Sequence, residues 1–422
     1  MQTEATDIDL RAVKRKRTAY LVASAVGLLV LGLVYAWSIF ATPIAAHYGW
    51  SKGALQTTFN IAMICFCVAA LLGSFIIKAL PLKATFFLAA VMLALGFAGT
   101  ALFAPSSLVG IYVSYGVLCG AGCGMGYNLV VATTNSWFPD KIGFASGVMM
   151  MGMGLGSLLL GTAADQLIGA AGIQFAFIVL AVVAFAVVVA LALFLKPAPA
   201  DVVRELSKSA PRGSALANED LNPLKDRYFY IYMIWAIFTI AVGITLIGGA
   251  KQGALILGVE SGLATTIVGL CSTMNGVSRL VMGSIYDRFG LKASIFTSGI
   301  VTTASACAIA LSYQLGVSAP YIVAAIAIGF GYGSIPVIAS AFARERYGAK
   351  NYARNFATLN MAAAIGSFLS IGLIAAISPD ATSNNFAVWL AFSILAIIAL
   401  ADAVFFSAIY KPGKDNSLSR DR

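Results

Sequence analysis

Long apolar stretches, each roughly one bilayer crossing in length, alternate with short polar segments along nearly the whole chain. A hydrocarbon core of ~30 Å takes about 20 apolar residues of helix to cross. The pattern predicts twelve helical spans, at approximately 19–46, 55–77, 85–103, 108–135, 145–164, 174–195, 228–254, 262–285, 293–314, 320–343, 357–377 and 386–410. The longest break, 196–227, follows the sixth span and contains Pro197, Pro199, Pro211, Gly213 and several charges. It reads as a cytoplasmic linker between two six-helix bundles, 19–195 and 228–410, with short tails at 1–18 and 411–422. The fold class expected is therefore an all-α membrane protein.

Composition agrees with that pattern. Of 422 residues, 60% are apolar and 10% charged, where soluble domains carry about 25% charged residues. The net charge of +10 could suggest nucleic acid, but its location argues against that. With the N-terminus placed inside, all 27 Lys and Arg except Lys52, Lys251 and Arg279 fall in cytoplasmic segments, as the positive-inside rule requires. Gaining or losing one span would scramble that separation. Both termini are thus expected in the cytoplasm, with the chain multi-pass in the cell (inner) membrane and in contact with its lipid.

The first apolar run exceeds the ~7–15 residues of a signal peptide and reads as an uncleaved span. Cys65, Cys67, Cys119, Cys123, Cys271 and Cys307 all lie inside spans and read as small buried hydrophobes. Neither a disulfide framework nor a metal site is indicated, and no cofactor is expected. Without a catalytic His near a nucleophile, a metal cluster or a nucleotide motif, an enzyme is not expected either.

The two halves resemble each other. Gly73-Ser74 opens a segment that recurs at Gly283-Ser284, an offset of 210 residues. Gly120, Gly122 and Gly124 in the fourth span recur as Gly329, Gly331 and Gly333 in the tenth, and Gly156-Ser157 recurs as Gly366-Ser367. Three matches at nearly one offset indicate a duplicated six-helix unit. Such units place a substrate site near mid-membrane, at the repeat interface.

Arg279 is the chemically distinctive residue. It precedes Asp287, at the end of the eighth span, by eight residues, which puts it ~12 Å inside that end. A guanidinium keeps its proton, and a charge at that depth costs at least ~2.5–3.5 kcal/mol. It persists there if it meets a wet cavity, a carboxylate or an anionic substrate; snorkelling or a structural ion pair is the plainer alternative. An Arg can hold a carboxylate through two parallel charge-assisted hydrogen bonds.

Asn275, one turn before Arg279, shares its helix face and either orients the guanidinium or bridges helices. Tyr35 (first span), Tyr127 and Asn128 (fourth), and Tyr332 and Ser334 (tenth) lie deep in their spans, as second donors or as packing. Asn360 in the eleventh span is a weaker candidate for the same role. Two acids are candidates for coupling: Asp402 inside the twelfth span, and Asp287 at the end of the eighth.

The segment Gly283-Ser284-Ile285-Tyr286-Asp287-Arg288-Phe289-Gly290 resembles the loop signature of the major facilitator superfamily. The match is nearer to its oxalate:formate antiporter family and to the monocarboxylate transporters. It rests on Tyr35-Ala36-Trp37, on Gly120–Asn128, and on Asn135-Ser136-Trp137-Phe138-Pro139-Asp140-Lys141. It rests also on Arg279 and on the segment from Tyr347 through Lys350 and Arg354 to Asn355. The resemblance implies two pseudo-symmetric six-helix bundles, a cavity lined by spans 1, 4, 7 and 10, and transport of a small organic anion by a monomer.

Relatives that carry oxalate pair the eighth-span Arg with a Lys in the eleventh span, a position that falls at about Ala363 here. One fixed cation neutralises one anion, so the charge count favours a monocarboxylate such as lactate or pyruvate over oxalate. Animal monocarboxylate transporters have an acid at the position of Asn275 and a Lys in the first span, and this chain has neither. The expectation is proton-coupled monocarboxylate transport; oxalate:formate-type exchange is the alternative, and a transporter-like sensor stands further off. A proton or a counter-anion is the expected second partner.

Overall fold

The computed structural model describes residues 10–207, 221–377 and 385–410. The first nine residues of the N-terminal tail, the middle of the linker with Pro211 and Gly213, and the C-terminal tail from 411 lie outside them. Every regular element among the described residues is a helix. In chain order these are α1 Leu10–Leu31, α2 Trp37–Tyr48, α3 Lys52–Ala79, α4 Leu82–Phe103, α5 Leu108–Ile111, α6 Gly120–Asn135, α7 Ile142–Ala171, α8 Ile173–Phe194 and α9 Ala200–Ser207. The second half adds α10 Arg227–Ile256, α11 Ser261–Leu315, α12 Ser318–Tyr347, α13 Tyr352–Ile377 and α14 Asn385–Ile409.

Among the described residues, 11 helical segments are long and apolar enough to cross a membrane. One of them is two spans in series. The 55 residues of α11 would extend ~80 Å as a straight helix, far beyond a bilayer. The chain turns at Gly290, where φ is 80° and ψ −177°, a conformation that a Cβ would strain. The eighth and ninth expected spans are the two arms of α11, which brings the number to twelve.

Three local features depart from the expected pattern. The first span is interrupted by a 3-10 stretch, Gly32–Ala36, between α1 and α2. There the Tyr115 hydroxyl donates to the carbonyls of both Leu33 and Val34 at 3.2 Å, drawing them out of the α-helical ladder. The fourth span carries a π-helical stretch, Tyr112–Cys119, before α6. The linker begins with ordered structure: Trp137 Nε1 donates to the Lys196 carbonyl at 2.7 Å, and the Ala198 N–H donates to Ser136 Oγ at 2.8 Å. The short helix α9 follows. The Ser-Trp pair after the fourth span thus anchors the linker to the first half, a role its sequence does not announce.

The chain divides into two compact units, Met1–Ala215 and Leu216–Arg422. Within each, the repeated glycines do the same work. A Cβ on Gly120 would strike Ala62, and one on Gly124 would strike Phe66. A Cβ on Gly329 would strike Cys271, and one on Gly333 would strike Asn275. Both contact pairs are displaced by 209 residues, so α6 lies on α3 as α12 lies on the first arm of α11. Small residues allow such close approach, where dispersion rather than hydrophobicity drives association.

Each unit also has an ion pair tying the start of its first span to the end of its fourth, with the signs exchanged. In the first unit Arg17 of α1 pairs with Asp140, and its guanidinium lies 4.5 Å from the Phe138 ring centre. In the second, Arg346 of α12 donates from Nε (3.0 Å) and from a terminal nitrogen (3.1 Å) to Asp226. Asp226 also accepts from the Tyr347 hydroxyl at 3.0 Å and caps α10 through the Tyr228 N–H.

Asp226 is 4% exposed, so removing it strands a guanidinium in a poorly hydrated place. We predict that Asp226→Ala destabilises the protein by about 3–5 kcal/mol, and that the double variant Asp226→Asn/Arg346→Gln recovers much of the loss. Thermal unfolding in detergent measures both. An Asp226→Ala protein that melts with the wild type would contradict the assignment.

Candidate functional site

The site builds from α11 outwards. Arg279 lies in its first arm and is only 7% exposed. Side chains on a helix lean towards its N-terminus, so the guanidinium folds back over the preceding turn. There a terminal nitrogen donates to Asn275 Oδ1 at 3.3 Å. The amide oxygen therefore orients the cation without neutralising it.

What fixes Asn275 is α12. Gly333 lies so close that a Cβ there would come within 2.6 Å of the Asn275 Oδ1 and would also meet the Asn275 carbonyl and Ser278 Oγ. The Ser278 hydroxyl donates to the Asn275 carbonyl at 2.9 Å. Absence of a side chain at 333 is what permits the Asn275–Arg279 pair its position.

Tyr332, the neighbour of Gly333, turns to another helix. Its Cβ and ring lie over Gly243 of α10, where a Cβ would meet Tyr332 Cβ at 2.7 Å and Cγ at 2.9 Å. Positions 332 and 333 of α12 thus contact α10 and α11 respectively, and hold Tyr332 and Arg279 in a set relation within one unit. Tyr332 is half-buried.

The remaining expected residues divide. Ser334 is fully buried and donates to Ser298 Oγ at 2.8 Å, on the second arm of α11; that hydroxyl is committed to helix–helix contact. Asn128 is 1% exposed and its Nδ2 donates to the Ala70 carbonyl at 2.8 Å, which joins α6 to α3. Tyr127 packs against Phe66 with ring centres 5.3 Å apart. Tyr35 sits half-buried in the 3-10 interruption of the first span. Asn360 on α13 is half-buried.

Of the two coupling candidates, Asp402 is half-buried on α14, and its Oδ2 finds no hydrogen-bond partner among the described residues. Asp287 is half-buried just before the Gly290 turn. No group of His, Cys, Asp and Glu that could hold a metal occurs among the described residues.

A cluster absent from the sequence reading lies at the end of α12. The Glu345 carboxylate accepts from the Tyr286 hydroxyl, next to Asp287, and from the Tyr410 hydroxyl at 2.9 Å. Beside it stands the Asp226–Arg346–Tyr347 group. Glu345 and Arg346 within one turn of a span's end, with Tyr286 and Tyr410 at the ends of other spans, are the signal that could have found it.

The profile of the Major Facilitator Superfamily matches residues 22–250 and 228–422. The chain is 26% identical over 385 residues to the oxalate:formate antiporter of Oxalobacter formigenes, covering 89% of this chain and 88% of that one. It is 24% identical over 358 residues to YhjX, an uncharacterised MFS-type transporter of Escherichia coli K12, covering 84% and 86%.

Among solved structures, the proton:xylose symporter XylE superposes with a TM-score of 0.71 at 12% identity, over 94% of this chain and 96% of that one. The Escherichia coli fucose:proton symporter FucP superposes with a TM-score of 0.68 at 14% identity, over 93% and 99%. These two share the fold. The protein is a multi-pass membrane transporter rather than an enzyme, and it belongs to the Major Facilitator Superfamily.

Proposed function

We propose that the protein carries small monocarboxylates of the lactate and pyruvate class by alternating access, with Arg279 binding the carboxylate. The observation that supports this most is the Arg279–Asn275 pair. A buried guanidinium oriented by an amide one turn away has the fork geometry that holds a carboxylate. The relative that exchanges oxalate for formate, by its name, supports an organic-anion substrate. Proton symport is the coupling proposed, and exchange against a second anion is the alternative that this relative favours.

Uptake of radiolabelled L-lactate into proteoliposomes, with and without an inward proton gradient, tests the reading. Gradient-driven uptake is the expected result. Exchange of oxalate against preloaded formate, with no lactate uptake, would replace it with the alternative.

Asn275 supplies a sharper test. An Asp there would compete with substrate for the adjacent guanidinium until it took up a proton. We predict that Asn275→Asp lowers lactate uptake at neutral pH about tenfold or more, the size of one charge-assisted hydrogen bond lost to substrate. The loss should persist from pH 5 to 8, because a guanidinium beside a carboxylate holds it ionised below its usual range. Wild-type lactate uptake in Asn275→Asp at neutral pH would refute that competition.

A further inference from the structure

The faces of the first arm of α11 separate cleanly. Leu263, Leu270, Val277 and Val281 are exposed and, at about 100° per residue, form one stripe roughly 160–180° away from Arg279. That stripe is apolar and suited to lipid. At its margins, the hydroxyls of Thr266, Thr273 and Ser284 each donate to the carbonyl one turn back, on Gly262, Gly269 and Leu280. Lipid contact demands that internal satisfaction.

Ser272 breaks this rule in two ways. It is exposed on the opposite side of the helix, within about 20° of Arg279 and on the same face as Asn275. Its hydroxyl makes no hydrogen bond among the described residues, whereas the hydroxyls at the stripe's margins are back-bonded. An exposed, uncommitted hydroxyl on the face of a buried cation is placed to meet solute.

We infer that Ser272 is a specificity-determining contact, reading the oxygen on carbon 2 of a hydroxy- or oxo-acid whose carboxylate is held by Arg279. The inference rests on the monocarboxylate reading above. The guanidinium folds back to the turn of Asn275, and Ser272 lies three residues, about 4.5 Å, further along the axis. A hydroxyl hydrogen bond spans ~2.8 Å, so a short acid with its second oxygen beside the carboxylate fits both donors at once. An unsubstituted acid satisfies Arg279 and leaves Ser272 with nothing to bind.

The experiment compares uptake of L-lactate and of propionate, which has the same carbon chain without the hydroxyl, in proteoliposomes of wild type, Ser272→Ala, Ser272→Thr and Arg279→Ala. Ser272→Ala is expected to lower the lactate-to-propionate uptake ratio about fivefold, one neutral hydrogen bond, and Ser272→Thr, which keeps a hydroxyl, to restore most of it. An unchanged ratio in Ser272→Ala, whether both uptakes persist or both fall together, would overturn the assignment. Arg279→Ala separates this from the reading beneath it: if that variant transports both acids like the wild type, or if the wild type transports neither, the monocarboxylate reading itself fails. If Arg279→Ala stops both while the ratio is indifferent to Ser272, the specificity assignment alone fails.

Discussion

Arg279→Ala is expected to reduce carboxylate uptake to background, and Arg279→Lys to leave no more than a few per cent. Losing one partner of a desolvated ion pair costs about 2–5 kcal/mol, which is roughly 30-fold to several thousand-fold in affinity at ~1.4 kcal/mol per decade. The Lys variant retains the charge, so Coulomb attraction alone would spare it. It loses the planar pair of parallel donors that a carboxylate matches, and also the bond that Arg279 makes to Asn275 Oδ1.

The direction of the Lys result is therefore informative. Wild-type uptake in Arg279→Lys would mean that a positive charge suffices and that the fork geometry is irrelevant. Protein amount and melting temperature should be compared in parallel, because a buried cation is costly and its removal need not destabilise the fold.

Ala363→Lys should produce the second large effect, a change of substrate charge. Ala363 is half-buried on α13, at the position where the resemblance to oxalate carriers calls for a second cation. On the proposed reading, in which Arg279 supplies the fixed positive charge, a monoanion is neutralised and a dianion retains an unbalanced charge at low dielectric. A second cation reverses that comparison. We predict that Ala363→Lys lowers lactate uptake at least tenfold and introduces uptake of oxalate. The measurement is competition of both acids for one labelled substrate in the same vesicles. If wild type already prefers oxalate, the charge-count argument is wrong and the exchange reading takes its place.

Hydropathy was enough for the helical spans. The expected spans correspond to helices because a bilayer leaves no backbone group unsatisfied inside a helix, so length and apolarity decide the matter without tertiary detail. The offset between the repeated glycines was also readable, and the contacts of Gly120 and Gly124 in one unit and Gly329 and Gly333 in the other give it a physical meaning. Arg279 stood out for the same reason: an ionised group within an apolar run is expensive wherever the run is folded.

Which side chains face one another was not readable, because it depends on how helices rotate about their axes. Asn128 and Ser334 looked as available as Asn275 along the chain, yet their hydrogen bonds to Ala70 and Ser298 tie helices together. Along the chain nothing sets Ser272 apart; the exposed stripe of α11 places it on the other side of the helix. Asp226 and Arg346, 120 residues apart, meet because α10 and α12 pack side by side. Burial cost is a local property of sequence and could be inferred from it. Directional partnership is a property of packing, and it required the folded chain.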